Sequence, residues 1–282
     1  MEAIVRRVGM ASPSISMRKC AAARSQPSRS AVGARPSRVQ ASSASSGANS
    51  KKSQPVVEHL LLLRIDPDEV SSADARKCIE NLWSLQYQMG GVICSSAGES
   101  DPKKAKSGLE GDVSQYTHAV HFRFPARAQL DAFLSSPTVQ KMQEEEIAEN
   151  CVGAASLSFE SSIPEDLFAI FRKGQDWEEG FDHAVVIECE SEAEAGSRAR
   201  GMRDFLEVNQ PSMEECGVQQ LTFGTAVTDG NKIGILMRFR NEYDFDYFTN
   251  SALYTKFIGA GGSRSLSAVT YGVGAQQATR NL

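Results

Sequence analysis

Hydrophobic and polar positions along this chain follow one pattern, and the pattern occurs twice. Val56–Ile65 is a run rich in Val and Leu that predicts a buried strand. Ser71-Ser72-Ala73-Asp74 then opens a helix whose apolar positions, Ala75, Ile79, Leu82 and Leu85, recur at helical spacing until Gly90-Gly91 stops it. Val92–Ala97 predicts a second strand. Gln115–Phe124 alternates, with Tyr116, His118, Val120, Phe122 and Phe124 on one face and Gln115, Thr117, His121 and Arg123 on the other. Residues 126–150 read as helix, interrupted at Ser136-Pro137 because proline cannot continue the hydrogen-bond ladder. Val152–Phe159 is a last strand. The order is β-α-β-β-α-β, the ferredoxin-like plan.

The second pass repeats that order. Strand Phe181–Cys189, a helix over 192–208, strand Val218–Phe223 and the hairpin turn Thr228-Asp229-Gly230-Asn231 come first. Strand Lys232–Phe239, a helix over 242–258 and strand Leu266–Tyr271 complete it. The residues themselves repeat. Phe122-Arg123-Phe124 recurs as Met237-Arg238-Phe239, Leu130-Asp131-Ala132-Phe133 as Phe245-Asp246-Tyr247-Phe248, and Lys141 as Lys256, all at an offset of 115. Glu58-His59-Leu60-Leu61 answers to Asp182-His183-Ala184-Val185 at an offset of 124. The nine-residue drift falls where the first copy carries a polar loop around Lys103–Gly108. A unit of roughly 100 residues has been duplicated, which argues against one large enzyme core.

Composition changes the picture at the N-terminus. Residues 1–50 hold eight basic residues, one acid, twelve serines and ten alanines, with almost no large apolar residues. This is the composition of an organelle transit peptide, without the apolar stretch of a secretory signal. Its serines and prolines, and the Val39-Gln40-Ala41 step, favour the chloroplast stroma, with the mitochondrion as runner-up. The net charge is −5 overall and +7 in that segment, leaving −12 for the rest. So acidic a remainder argues against nucleic acid or an anionic membrane as a partner. No later segment offers about eighteen consecutive apolar residues, so no membrane span is expected. Beyond Cys20, five cysteines remain without a CxxC pairing. They read as buried, reduced thiols among apolar neighbours, and their odd number leaves a redox role open.

These motifs resemble the stress-response A/B barrel domain family, a branch of the dimeric α+β barrel proteins. The first strand reads His59-Leu60-Leu61-Leu62-Leu63, Gly111 and Tyr116-Thr117-His118 lead the third strand, and a Leu-Asp-x-Phe helix runs into Ser136-Pro137. The second copy keeps Phe181-Asp182-His183, Arg238-Phe239 and Phe245-Asp246-Tyr247. A transit peptide before two such domains is similar to the plant chloroplast members. In single-domain relatives two ferredoxin-like subunits pack sheet against sheet. The resemblance therefore implies an α+β fold in which two tandem ferredoxin-like units form an intramolecular dimeric α+β barrel. Each sheet, with helices on one face only, needs its other face covered, and a covalent link supplies the partner at about millimolar effective concentration. Ala119 is small enough to lie beneath a partner sheet, and Ile233, Ile235 and Met237 alternate with Gly234, Leu236 and Arg238, leaving apolar residues on both faces. The expected divisions are 1–50 transit peptide, 55–160 first domain, 161–179 linker, 180–272 second domain and 273–282 tail. Leu167, Phe168, Ile170 and Phe171 suggest a short docked helix in the linker. A homodimer of the whole chain stays open beside the pseudo-dimer.

Some relatives are cofactor-independent polyketide cyclases that use a Tyr and a His within an Asp-Tyr-x-x-His-Pro-x-His stretch for acid–base work. The first copy reads Asp131-Ala132-Phe133-Leu134-Ser135-Ser136-Pro137-Thr138, with neither Tyr nor His. The second has Tyr247 but places Asn250 and Leu253 at the histidine positions. The expectation is therefore a non-enzymatic stress-response barrel protein of the plastid, in stress or pathogen defence, needing no cofactor and binding at most a small apolar ligand. The alternative is a cofactor-independent cyclase-like or monooxygenase-like enzyme. The resemblance puts His59 and His118 on a cavity between sheet and helices, with His183 and Tyr247 the corresponding candidates in the second copy. A buried, hydrogen-bonded structural role competes for His59, His118 and His183. His121, of opposite parity, reads as an interface or surface residue. Some plant relatives hold a magnesium ion on backbone carbonyls after the first helix. Alignment on Asn81-Leu82 assigns those carbonyls to Trp83, Gln86 and Met89. Gly259-Ala260-Gly261-Gly262-Ser263 follows a helix instead of opening one and reads as a helix-ending turn, not a phosphate cradle. No GxSxG, HExxH or Walker-type loop is present.

If the basic segment is a transit peptide, N-terminal sequencing of the endogenous protein should begin between residues 40 and 50. A mature protein that still starts at Met1 refutes import.

Overall fold

The computed structural model describes residues 53–100, 116–164, 180–260 and 265–272. Those residues belong to one compact unit spanning 49–282. The transit segment, the Lys103–Gly108 loop with Gly111, linker residues 165–179, the Gly261–Ser263 part of the turn and the 273–282 tail lie outside them.

The first unit runs β1 (Ser53–Arg64), α1 (Ser72–Gln88), β2 (Cys94–Glu99), β3 (His118–Phe124), α2 (Arg127–Leu134), α3 (Pro137–Asn150) and β4 (Gly153–Pro164). The second runs β5 (Phe181–Glu188), α4 (Glu192–Glu215), β6 (Val218–Thr225), β7 (Lys232–Phe239), α5 (Glu242–Thr249), α6 (Ala252–Ala260) and β8 (Ser265–Gly272). The sheets have the same order, β2-β3-β1-β4 and β6-β7-β5-β8, and every pairing is antiparallel. Local chemistry sets the helix starts. Ser71, Ser191 and Asn241 each accept a hydrogen bond from the amide three residues on, at Asp74, Glu194 and Asp244. Pro137 starts α3, where its missing donor costs nothing.

Three boundaries differ from the sequence reading. Strand β4 continues through Ser161–Pro164, because β1 pairs with it from Gly153 to Pro164 and fixes it over that whole length. Strand β3 begins at His118 and not at Gln115. Helix α4 runs past 208 to Glu215 despite Pro211, with buried Met213 anchoring its last turn. Among the described residues no helix is long and apolar enough to cross a membrane.

Three apolar clusters hold the layers together. One lies between the first sheet and its helices, around Leu61, Leu63, Leu82, Phe122 and Phe133. A second repeats it in the other unit around Val185, Ile235, Phe245 and Phe257. The third lies between the sheets and draws on both: Leu60, Leu62, Ala119, Leu157 and Phe159 meet Ala184, Val186, Leu236, Val269 and Tyr271. Each fully buried Leu or Val there contributes about 1.5–3 kcal/mol by leaving water. The duplicated units thus pack sheet to sheet as a closed barrel.

Closure occurs at two seams. Phe159 bridges Ala226 between β4 and β6, with Val227 N–H donating to Ser158 O at 2.8 Å. Ser100 bridges Tyr271 at the end of β2 against β8. Both edge strands carry a glycine at the equivalent place. A Cβ on Gly98 would stand 2.8 Å from Gly272 O, and one on Gly224 would overlap the Glu160 carbonyl. Glycine is present there because the strand backbones pass too close for a side chain.

Gly224→Val should therefore destabilise the protein by roughly 3 kcal/mol, since the obstructing atom is backbone and cannot rotate away. Urea denaturation should show a lower midpoint. Gly153→Ala, where the nearest atom to a Cβ is Arg64 Cβ at 3.8 Å, should be nearly neutral, and equal effects of the two substitutions would refute the seam constraint.

Candidate functional site

The strand histidines divide into two kinds. His59 and His183 occupy equivalent positions on the helix-facing side of β1 and β5, both fully enclosed. His59 Nδ1 lies 2.8 Å from Ser158 Oγ, and His183 Nδ1 lies 2.8 Å from Thr270 Oγ1, so the pairing itself is duplicated. The other nitrogens differ. His183 Nε2 meets Tyr254 Oη at 3.0 Å, whereas His59 Nε2 is buried with no partner among the described residues. Val139 stands in α3 where α6 has Tyr254, at the repeat's offset of 115. Burial lowers both imidazole pKa values to about 4, His59 also feeling His121, so both rings are neutral. Sequence reasoning had no reason to pick out Tyr254, since only the fold carries α6 over β5.

His118 differs from both. It pairs in register with Leu63, while His59 pairs with Phe122, so the two are four residues apart along the sheet, about 13 Å. No single site contains both. His118 borders a cavity of about 320 Å³ between the sheet and the first turns of α1. Ile65, Val70, Ala75 and Ile79 give it an apolar wall, and Arg76, Glu80, Glu99 and Thr117 bring polar groups to its edge. Thr117 Oγ1 holds His118 Nδ1 at 2.9 Å and itself accepts from Ile65 N–H at 2.8 Å, which fixes the ring. Nε2 has no hydrogen-bond partner among the described residues. Burial pushes the His118 pKa below the ordinary value, against the opposing pull of Glu99, so the imidazole is neutral. Ser72 lines the cavity at the first turn of α1, where the positive end of the helix dipole favours developing negative charge. The second copy places Ile233 at the His118 position, so the arrangement is not duplicated.

The remaining candidates lie elsewhere. Tyr247 is 57% exposed on α5 and stacks on Tyr243, away from any histidine. Trp83 and Gln86 lie in the last two turns of α1, and Met89 is its C-cap. No cluster of three His, Cys, Asp or Glu side chains that could hold a metal occurs among the described residues.

A polar cluster that sequence reasoning missed occupies one end of the space between the sheets. Arg123 forks onto Glu58, with Nε 2.9 Å from Oε1, and Arg238 forks onto Asp182 at 2.6 and 2.5 Å. Each pair joins directly opposed residues of neighbouring strands, β1 to β3 and β5 to β7. Burial alone would raise the Glu58 pKa, but Arg123 and His121 outweigh it and hold the carboxyl at about 2. Asp182 is likewise lowered: burial opposes, and Arg238 and the Ser96 hydrogen bond prevail. Contacts of this cluster cross between units: Arg123 Nη1 donates to Gln220 Oε1 at 3.2 Å, Ser96 Oγ–H donates to Asp182 Oδ2 at 2.5 Å, and Tyr271 Oη lies 3.1 Å from Ser96 Oγ. Cys94 faces this cluster, not the apolar surroundings expected of it, and burial pushes its thiol up to about 11. Its signal in the sequence was the repeated arginine together with the acid that precedes each strand histidine.

Ser96, His121 and Glu58 follow each other at hydrogen-bonding distances, 3.4 Å and then 2.7 Å, like a nucleophile, base and orienting acid. No described cavity reaches them, and the Ser96 proton is given to Asp182. The arrangement therefore reads as structural, and His121 is an interface residue.

No family model and no curated protein matches the chain. Solved structures do. A candidate monooxygenase of Fusobacterium nucleatum matches with a TM-score of 0.53 at 11% identity, covering 78% of this chain and 92% of its own. An anthrone oxidase-like protein matches with a TM-score of 0.54 at 7% identity, covering 78% and 91%. A dimeric ferredoxin-like protein from Thermobifida fusca covers 38% of this chain and 91% of its own, at 19% identity and a TM-score of 0.30. At these identities the likeness establishes the fold, an α+β barrel of ferredoxin-like units. The expectation of a non-enzymatic protein needs correction. It rested on one missing Tyr–His pair, yet solved chains spanning both units include a candidate monooxygenase and an anthrone oxidase-like protein, and His118 lines a cavity built by other elements.

The neutral core histidines predict an acid-sensitive fold. Below pH 6.5 the unfolded chain takes up protons that folded His59 and His183 refuse down to about pH 4. Stability should fall as pH drops through that window, by on the order of 2–3 kcal/mol per histidine. Urea denaturation at pH 7.5 and 4.5 measures the loss, and His183→Gln should lower stability at pH 7.5 while shrinking the pH-dependent part. An unchanged pH dependence in that variant would contradict the assignment.

Proposed function

We propose that the chain is a cofactor-independent enzyme that binds a small, largely apolar molecule in the His118 cavity and removes a proton from it. The observation that carries this reading is a neutral imidazole that lines an apolar-walled space of about 320 Å³, is fixed when its Nδ1–H donates to Thr117 Oγ1, and has no hydrogen-bond partner on Nε2 among the described residues. A carbon acid seated there would give its proton to Nε2. The resulting carbanion would be stabilised by the first turn of α1 and the Arg76 charge. Such a carbanion adds dioxygen in a monooxygenase-like reaction, the peroxide taking back the proton from His118 and losing water with the carbon's second hydrogen to leave a carbonyl, or adds to an internal carbonyl in a cyclase-like one, the alkoxide taking back that proton. The fold neighbours support the former, because the Fusobacterium and anthrone oxidase-like matches are of oxidising type by name. Membership of the stress-response A/B barrel branch, residence in the plastid stroma and defence against stress belong to the same proposal. They rest on the His59–Leu63 and Tyr116–His118 motifs and on the composition of residues 1–50.

Anthrone is a suitable probe, being an apolar carbon acid whose oxidation is followed by oxygen uptake. Wild-type protein should accelerate it, and His118→Gln should lower the rate about a hundredfold or more with little change in melting temperature. The rate should rise with pH along a limb lying below the ordinary histidine range, since burial favours neutral His118. Equal rates in the two proteins, or a loss that merely tracks unfolding, would remove His118 from the role of base.

A further inference from the structure

A second and larger cleft, of about 900 Å³, lies between the two units and shares no lining residue with the His118 cavity. Its floor is the β4–β6 seam. One wall is α4, and the other is formed by Pro55–Val57 and the start of α2. Gly196 and Ala199, small residues on the α4 wall, leave the space open. Arg200 and Arg203 line the same wall three residues apart, hence on one helix face, and Arg127 lines the opposite side. Arg127 is loosely committed to Asp131 at 3.7 Å, whereas Arg200 and Arg203 have no ion-pair partner among the described residues. Glu160 is the one acid among the lining residues. Three arginines against one acid depart sharply from a chain whose residues 51–282 carry −12.

Leu206, Leu221 and Phe223 add an apolar surface beside the arginines. Exposed arginines alone hold an anion weakly, because water competes. Guanidinium forks next to a partly buried apolar surface suit a ligand with both features. We propose that this cleft binds a small organic anion with an apolar body, its acid group held by Arg200 and Arg203 and its body laid on Leu221 and Phe223. The site belongs to the duplicated chain, because Arg200 and Arg203 come from the second unit and Arg127 and the Glu160–Ser162 floor from the first.

Isothermal titration of the full chain with 2-naphthoate tests this, with 2-naphthamide as the neutral isostere. Naphthoate should bind saturably at one site and at least tenfold more tightly than the amide. The double variant Arg200→Gln/Arg203→Gln should weaken it by roughly tenfold or more, the loss of one charge-assisted hydrogen bond or more. Both positions are exposed, so the variant should fold normally. His118→Gln should leave this binding unchanged, which separates the cleft from the proposed catalytic cavity. Absence of naphthoate binding, equal affinity for the amide, full affinity in the double arginine variant, or loss of binding in His118→Gln would each overturn the proposal.

Discussion

The structure depends on how two guanidinium groups are neutralised between two sheets that exclude water. Arg123 and Arg238 project into the barrel interior, where an unpaired charge would cost several kcal/mol. Glu58 and Asp182 answer them from the directly opposed positions of the neighbouring strands. A one-residue slip of β1 against β3 would move Glu58 out of reach and turn every apolar side chain of β1 to the wrong face. The ion pairs therefore specify register more than they add net stability, since a buried pair gains little over a well-packed apolar one. They also specify the partner. Arg123 reaches Gln220 and Asp182 receives Ser96, so each charged pair is completed by a polar group from the other unit. A barrel closed by a different sheet would leave those groups unsatisfied.

A symmetric dimer must place the same residue at both equivalent positions, and a duplicated chain need not. This chain uses that freedom along the whole interface. Phe159 and Tyr271 are equivalent, each opposite the acid of its own sheet, yet only Tyr271 reaches Ser96, at 3.1 Å. His121 in β3 corresponds to Leu236 in β7, and Cys94 in β2 to Gln220 in β6. Behind the sheets the two units diverge in how completely they are filled. In the second unit Tyr254 completes the bonds of His183, and Ile233 fills the place of His118. In the first unit the corresponding nitrogens stay unpaired and a cavity remains. One unit has been filled in for packing while the other keeps space and unspent hydrogen-bonding capacity.

How much of this was legible in the sequence follows from what each signal encodes. Period-two alternation gave the two faces of β7 and of β3 from His118 to Phe124 correctly, because successive strand residues point to opposite faces, but Tyr116, placed with His118, precedes the strand and packs against the inter-sheet cluster. Helix starts were readable at Ser71 and Pro137, where a single side chain decides the geometry. Strand β4 was cut short at Phe159 because its polar continuation, Glu160–Ser162, is ordered by pairing with β1 and not by its own pattern. Helix α4 was cut short because propensity at Pro211 was outweighed by the anchoring of Met213. Parity placed His59 and His118 on one face but said nothing of their separation, which depends on the β1–β3 register. The polar cluster between the sheets was visible as repeated letters, yet the pairing rule that joins Glu58 to Arg123 appears only once the strands are laid side by side.

The two histidine constellations of the first unit show what separates a site from a scaffold. Ser96, His121 and Glu58 have spacing that would suit acyl transfer, but the Ser96 proton is committed to Asp182 and no described cavity opens beside it. Good hydrogen bonds with no empty volume make a rigid joint. His118 has poorer credentials by pattern, with one hydrogen bond to a neighbouring threonine and no orienting carboxylate bonded to it. Its advantage is physical. Burial keeps it neutral, Thr117 fixes the ring, and the residue lines a space with apolar walls. Proton transfer needs an atom with unspent hydrogen-bonding capacity and room for the molecule that will use it. Of the two constellations only the one at His118 pairs an unpartnered nitrogen with an adjoining cavity, which is why the proposed proton transfer falls at the start of β3, while the charged centre of the barrel holds the two sheets in register.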